Sequence, residues 1–306
     1  MQGEDFLAGR VLAYSALFRL WSIEHYQRCS FRCSFCCTDS QGRSAPAVAP
    51  EEFVDTLVAE LQLAETVHGL DRKNDALIMS CLSDPYVYEE EDYGLTRAIL
   101  DRLGSDGYRF VIVTRNDLVQ RDLDVLQQYR GQCAVSFSLS SLVPASASPY
   151  ESHAPDPARR LACANRLAAE GLDVTLRIDP WIPGVTDVEQ ILAHCSPGLS
   201  VVVSPLHLAG TLSRMMVVED SSEAACLQAD DSPALAARIA RFTARGLCTS
   251  TGKHFSALGQ QDVNRAYLEE FRRLPTRKNV RWFRPIYPDT VDIGEFYRFL
   301  KPGAGG

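Results

Sequence analysis

Four of the chain's ten cysteines fall within nine residues: Cys29, Cys33, Cys36 and Cys37. The first three have the spacing C-x3-C-x2-C in Tyr26-Gln27-Arg28-Cys29-Ser30-Phe31-Arg32-Cys33-Ser34-Phe35-Cys36. On a compact loop, three thiolates can each take one corner iron of a cubane iron–sulfur cluster, leaving the fourth iron without a protein ligand. An open metal position lets a cluster bind and activate a substrate rather than only carry electrons. Zinc is the competing reading. Structural zinc takes four ligands, usually as two separated pairs, whereas here no second pair follows, and Cys37, adjacent to Cys36, should point elsewhere. The six remaining cysteines (81, 133, 163, 195, 226 and 248) are scattered singly, and most read as small buried hydrophobes.

The elements that must hold such a loop alternate. Short β-branched runs are expected as strands over 22–27, 76–81, 110–114, 133–139, 174–179 and 200–204. Helical periodicity is expected over 51–68, 93–103, 120–129, 156–169 and 187–194. In the first of these, Phe53, Leu57, Val58, Leu61 and Ala64 share a face after Pro50 as a start signal. Alternation of this kind builds a parallel sheet. The expected fold is α/β, a partial (β/α)6 TIM-type barrel of parallel strands with a C-terminal extension; an open doubly wound sheet is the alternative. The barrel should occupy residues 1–208. Residues 209–306 read as an extension packed on it, with a strand over 215–218 and helices over 233–246 and 261–274. The glycine-rich tail 301–306 has little to pack and should fray.

Composition limits the partners. Thirty-one Lys and Arg stand against 39 Asp and Glu, a net charge of −8, which repels phosphate backbones overall. The run Glu89-Glu90-Glu91-Asp92 reads as a solvated acidic face near the barrel mouth. The best basic stretch is Arg277-Lys278-Asn279-Val280-Arg281-Trp282-Phe283-Arg284, four cations interleaved with two aromatics. The balance favours a small-molecule substrate, nucleotide- or sugar-like, over duplex DNA. No run is long and apolar enough for a membrane span, and the N-terminus lacks a secretory pattern. The expected location is the cytoplasm, where thiols stay reduced.

The cysteine motif after the first strand, with Phe35 before its last cysteine, resembles the radical S-adenosylmethionine (SAM) superfamily. Further segments sharpen the likeness: Ser80-Cys81-Leu82-Ser83-Asp84-Pro85-Tyr86, Leu95-Thr96-Arg97, Val113-Thr114-Arg115-Asn116, Ser136-Phe137-Ser138-Leu139-Ser140, and Arg177-Ile178-Asp179-Pro180. Together, over residues 20–205, they resemble the spore photoproduct lyase-like (DNA repair photolyase-like) branch.

The resemblance implies a [4Fe–4S] cluster on Cys29, Cys33 and Cys36, with SAM on the open iron. One electron, from a donor such as flavodoxin or ferredoxin, cleaves SAM to methionine and a 5′-deoxyadenosyl radical that abstracts hydrogen from the substrate. It further implies that Phe35 lies near the adenine, that Ser83 and Asp84 receive the methionyl group, that Arg115 pairs with the SAM carboxylate, and that Ser138 contacts SAM. Cys81 would return a hydrogen atom to the product radical, for which a weak S–H bond is suited. Tyr86 and Tyr88 would relay a radical or line the pocket. Each has an ordinary alternative: a satisfied strand hydroxyl for Ser138, a buried thiol for Cys81, packing for the tyrosines. Asp179 reads equally as a pocket acid or a turn residue, and His153, His207 and His254 as scattered singles, of which His207 could face the pocket. Repair of a nucleic-acid lesion is the alternative activity. A non-catalytic metal-binding module is the alternative of another class.

Overall fold

The computed structural model describes residues 6–15, 20–33, 35–36, 42–145, 148, 150–151, 153–181, 186–205 and 280–282. An antiparallel hairpin of β1 (Phe6–Ala8) and β2 (Leu12–Ser15) opens the chain, and β2 pairs antiparallel with β3 (Leu20–Ile23). Every later pairing is parallel. After α1 (Pro50–Val67) comes β4 (Ala76–Met79). Then follow α2 (Glu90–Tyr93), α3 (Leu95–Ser105), β5 (Arg109–Thr114), a 3-10 turn (Asp117–Asp122) and α4 (Leu123–Gln128). The chain continues with β6 (Cys133–Ser138), α5 (Pro157–Ala169), β7 (Asp173–Trp181), α6 (Val188–Ala193) and β8 (Ser200–Pro205). A last strand, β9 (Val280–Trp282), pairs parallel with β8.

The nine strands lie in sequence order from β1 to β9. A doubly wound sheet would reverse its order at a switch point; an unbroken sequential order with helical crossovers is the arrangement of a TIM-type partial barrel. Five of the six strands expected from the sequence lie within two residues of their expected bounds, and the first, expected over 22–27, runs instead over Leu20–Ile23. A seventh parallel strand, β9, comes from the stretch read as extension, where three residues give too short a pattern to register. The other expected elements of the extension, together with His207, His254 and Cys37, lie outside the described residues. Among the described residues no helix is long and apolar enough to cross a membrane.

The strand sequences account for their burial. All four residues of β4 and all six of β6 are buried, as expected for strands covered on both faces. In α1, Phe53, Leu57, Leu61 and Ala64 form the buried stripe, with Pro50 at its first turn. The Asp156 side chain accepts from Ala158 N at 2.9 Å and caps α5. Two expected helices differ locally. Gly94 adopts φ +63° and separates α2 from α3. The segment expected over 120–129 begins as the 3-10 turn at 117, where the Asn116 side chain accepts from Leu118 N at 3.0 Å.

The acidic run at 89–92 is a correction. Glu91 and Asp92 are exposed, but Glu90 is fully buried. Its carboxylate accepts from Tyr26 Oη at 2.5 Å, from Arg121 Nη2 at 2.5 Å and from Thr96 N. Arg121 continues to Asp122, which also takes Arg97 and the Tyr86 hydroxyl. Buried charges are tolerated when paired and hydrogen-bonded, and Glu90 meets that condition.

His25 lies beside this network, fully buried, with Nε2 3.0 Å from Thr96 Oγ1. Burial pulls its pKa down to about 4, against about 6.5 in an unfolded chain. Between those values the unfolded chain binds a proton that the folded protein refuses. Stability should therefore be complete above pH 6.5 and fall as pH drops toward 4, by about 3 kcal/mol from this group. Melting temperatures measured from pH 7 to 5 should fall less steeply for His25→Gln than for the wild type. Equal slopes would show that His25 does not set the dependence.

Candidate active site

The cysteine loop leaves the end of β3 and is tied back onto the following segment: Gln27 N donates to Ala45 O at 3.0 Å and Gly42 N to Cys29 O at 3.0 Å. Phe31 is fully buried and meets the Tyr88 ring edge-on at 5.2 Å, while Tyr88 N donates to Ser30 Oγ at 3.2 Å. These contacts fix the loop over the C-terminal ends of the strands, where barrel enzymes collect their chemistry.

The loop after β4 is held by two carboxylates. Ser80 turns the chain with φ +60°, rare for a non-glycine residue. Glu24, at the end of β3, accepts from Cys81 N at 2.8 Å and Leu82 N at 3.2 Å. Asp84 accepts from Tyr86 N at 2.8 Å, Thr114 Oγ1 at 2.7 Å and Arg115 N at 2.7 Å. Burial raises its pKa to about 6 despite those three bonds. Asp84 thus fastens the β4 loop to the end of β5.

Arg115 leaves that junction into a buried ionic triad. Its Nη1 donates to Glu151 Oε1 at 2.6 Å, and its Nη2 to Asp179 O at 3.0 Å. Glu151 also accepts from Arg160 at 3.0 Å and 3.3 Å, and Arg160 donates to Ser138 O at 2.9 Å. The Arg115 guanidinium lies 4.9 Å from the Phe35 ring centre, a cation–π distance. Burial alone would ease its deprotonation, but Cys33, Glu151 and Asp179 outweigh burial and hold it charged.

These parts enclose one cavity of about 240 Å³. Cys29, Cys33, Phe35 and Cys36 form one wall; Cys81, Ser83 and Asp84 form another. Arg115, Ser138, Arg177 and Asp179 line it from the ends of β5, β6 and β7. Nine of the eleven residues expected at the site are therefore on one cavity. Tyr86 and Tyr88 are not among its lining residues. Tyr86 is buried with its hydroxyl on Asp122 Oδ2 at 3.0 Å, and the half-exposed Tyr88 donates to His153 O at 2.9 Å. Asp179 lines the cavity from within β7, its carboxylate on Arg177 and its carbonyl accepting from Arg115.

Burial raises the pKa of Cys29, Cys33 and Cys81, that of Cys33 to about 12. A metal inverts this preference, because a coordinated thiol is deprotonated outright. No three His, Cys, Asp or Glu side chains among the described residues converge on a single-ion site. A cubane does not ask that of them: each thiolate meets a different iron, so three thiols that line one cavity without converging on a point suit it better than they suit zinc. The buried Ser83 Oγ has no hydrogen-bond partner among the described residues, and a bound polar ligand would satisfy it.

Sequence reasoning missed Glu24, Glu151, Arg160 and Arg177. Arg160 was within reach, since it keeps helical phase with the buried Cys163, Ala164 and Leu167 of α5. Arg177 shares a strand face with Asp179 by its two-residue spacing. Nothing in the sequence around Glu151 marks it.

A parallel partial barrel with three thiols and a polar cavity at its C-terminal mouth describes a class of cofactor-dependent barrel enzyme. The chain matches the Radical SAM superfamily over residues 23–195, more than half of its 306 residues. The chain belongs to the radical SAM superfamily. A [4Fe–4S] cluster and SAM are accordingly the cofactors its family membership implies. An uncharacterized protein of Mycobacterium tuberculosis is 27% identical over 203 residues, 62% of this chain and 60% of that one. An uncharacterized protein of Methanocaldococcus jannaschii is 24% identical over 181 residues, 57% and 65% of the two chains. The chain thus spans about three fifths of the length of the mycobacterial relative it matches.

Among solved structures, spore photoproduct lyase complexed with dinucleoside spore photoproduct superposes with a TM-score of 0.51 at 15% identity, covering 86% of this chain and 75% of that one. Streptococcus suis SuiB bound to S-adenosylmethionine gives 0.50 at 13% identity, covering 89% and 53%. At these identities the likeness is one of fold alone.

Proposed function

We propose that the enzyme holds its cluster on Cys29, Cys33 and Cys36, cleaves SAM reductively, and abstracts hydrogen from a small nucleotide- or sugar-like molecule. The observation that carries this reading is the single cavity shared by the three thiols, the unpartnered Ser83 hydroxyl and Arg115. Together the cluster and SAM supply a one-electron cleavage to methionine and a 5′-deoxyadenosyl radical; the chain supplies position. Ser83 donates to the methionyl group, Arg115 faces its carboxylate, Ser138 contacts SAM from β6, and Phe35 packs near the adenine. Asp84 positions Arg115 through its backbone N–H. The apolar strands beneath exclude water. Cys81, which also lines the cavity, would give up its S–H hydrogen atom to the product radical and be left as a thiyl radical. Tyr86 and Tyr88 pack the loops rather than reach the reacting atoms.

The net charge of −8 supports a small molecule over a nucleic-acid lesion. Binding to a DNA duplex should accordingly be weak and should lack the steep salt dependence of phosphate contacts. Tight, strongly salt-dependent binding would favour repair instead.

Anaerobic reconstitution with iron and sulfide should give broad visible absorption, bleached by dithionite, and 5′-deoxyadenosine from SAM. A protein that takes up zinc instead and never yields 5′-deoxyadenosine is a metal-binding module, and the proposal fails. Candidate substrates carrying deuterium identify the hydrogen abstracted, by label entering 5′-deoxyadenosine. With that substrate, Cys81→Ala should keep full iron content and SAM cleavage but form several-fold less product per 5′-deoxyadenosine. An unchanged ratio would reduce Cys81 to packing.

A further inference from the structure

The triad Arg115–Glu151–Arg160 contains two cations and one anion. Glu151 and Arg160 side chains are 2% and 0% exposed, and that of Arg115 17%. Burying three charges is costly, and a pair of apolar residues would serve packing as well or better. Its placement is specific. Arg115 lies on Phe35, which sits between Cys33 and Cys36 in the loop. Among the other charged groups lining the cavity, Asp179 is paired with Arg177, Asp84 accepts from two backbone N–H groups and the Thr114 hydroxyl, and Arg32 adds a further cation in the loop itself.

Glu151 cannot orient Arg115 alone. Its Oε1 is shared between Arg115 and Arg160, and Arg160 is anchored on the backbone carbonyl of Ser138 at the end of β6. The chain Ser138–Arg160–Glu151–Arg115 thus transmits the position of one barrel strand to a guanidinium at the cysteine loop. An iron–sulfur potential depends on the net charge around the cluster and on its exposure to solvent. In a buried site, one charge more or less acts with little screening.

We propose that the net positive charge of this triad, set by Glu151 and Arg160 around Arg115, raises the reduction potential of the cluster. The inference rests on the reading that Cys29, Cys33 and Cys36 hold that cluster.

The test is a redox titration of the reconstituted full-length protein without SAM, following the reduced-cluster paramagnetic signal. Glu151→Gln takes the triad from +1 to +2 and should shift the potential upward. Arg160→Gln takes it to zero and should shift it downward. Arg160→Lys keeps the charge and should stay near the wild type. Mere structural support predicts the same sign for both charge-changing variants, because each removes a partner. Shifts of equal sign, or no shift at full iron content, overturn the proposal.

Should a single variant fail to take up iron, the double variant Glu151→Gln/Arg160→Gln decides. It restores the sum of +1 on Arg115 alone and should return to the wild-type potential; a displaced potential or failed cluster uptake overturns the proposal. A wild-type protein that takes up no cluster would instead overturn the ligand assignment. Cluster uptake and 5′-deoxyadenosine formation without the opposed shifts would leave that assignment standing and remove only the inference.

Discussion

Cys33→Ala should fold normally, retain iron only at background after reconstitution, and form no detectable 5′-deoxyadenosine from SAM. Cys33 is 6% exposed on the cavity wall, and replacing it with alanine removes one sulfur atom from the core. The packing loss is about 1 kcal/mol, within the tolerance of a domain of this size. The chemical loss is total. Two thiolates hold two irons of a cubane, leaving two uncovered, and such a cluster is exposed to exchange and oxidation. The buried thiols Cys133 and Cys163 provide the control. Both are 2% exposed and far from the loop in sequence, one on β6 and one on α5. Alanine at either should cost similar stability and leave iron content and SAM cleavage intact. Iron retained by Cys33→Ala, or lost equally in the controls, would mean that the ligands are wrongly assigned.

Glu90→Ala should be the most destabilising single change outside the cavity. The substitution leaves Tyr26 Oη and Thr96 N without an acceptor inside the protein and takes one of two buried anions from Arg121. Removing one partner of a buried ion pair costs about 3–5 kcal/mol, which lowers Tm by roughly 10 °C for a chain of this size. The exposed neighbour Glu91 should tolerate alanine within about 0.5 kcal/mol. Calorimetry on the two variants decides: similar melting temperatures would refute the network's role. The loss should also reach function, because Tyr26 precedes Cys29 by three residues and Glu90 opens the short helix after the β4 loop.

The two predictions fall on opposite sides of what a linear sequence displays. Cysteine spacing is local chemistry: three thiols within eight residues must share a loop, whatever the rest of the chain does. Strand and helix order was legible for the same reason, since the stripe Phe53, Leu57, Leu61 and Ala64 and the apolar runs of β4 and β5 are short-range patterns. The segments after each strand followed, because a parallel barrel brings all its strand ends to one mouth.

Charge pairing was not legible. Glu90 sits in a run of four acids and reads as solvated, yet its partners lie 64, 31 and 6 residues away. Arg115 reads as a cation awaiting a ligand, yet it meets Glu151 36 residues on. Tyr86 and Tyr88 flank the right loop, but the partners their hydroxyls find, Asp122 and the His153 carbonyl, lie far along the chain, and neither tyrosine lines the cavity.

The sequence by itself determined the cofactor chemistry of this protein and the barrel that carries it, because both rest on residue type and short-range spacing. Only the tertiary structure decided which charges are buried together, and therefore how Arg115 is held beside the cysteine loop. That decision depends on contacts between residues far apart in the chain, and burial alone turns such a contact from a weak surface pair into a strong constraint.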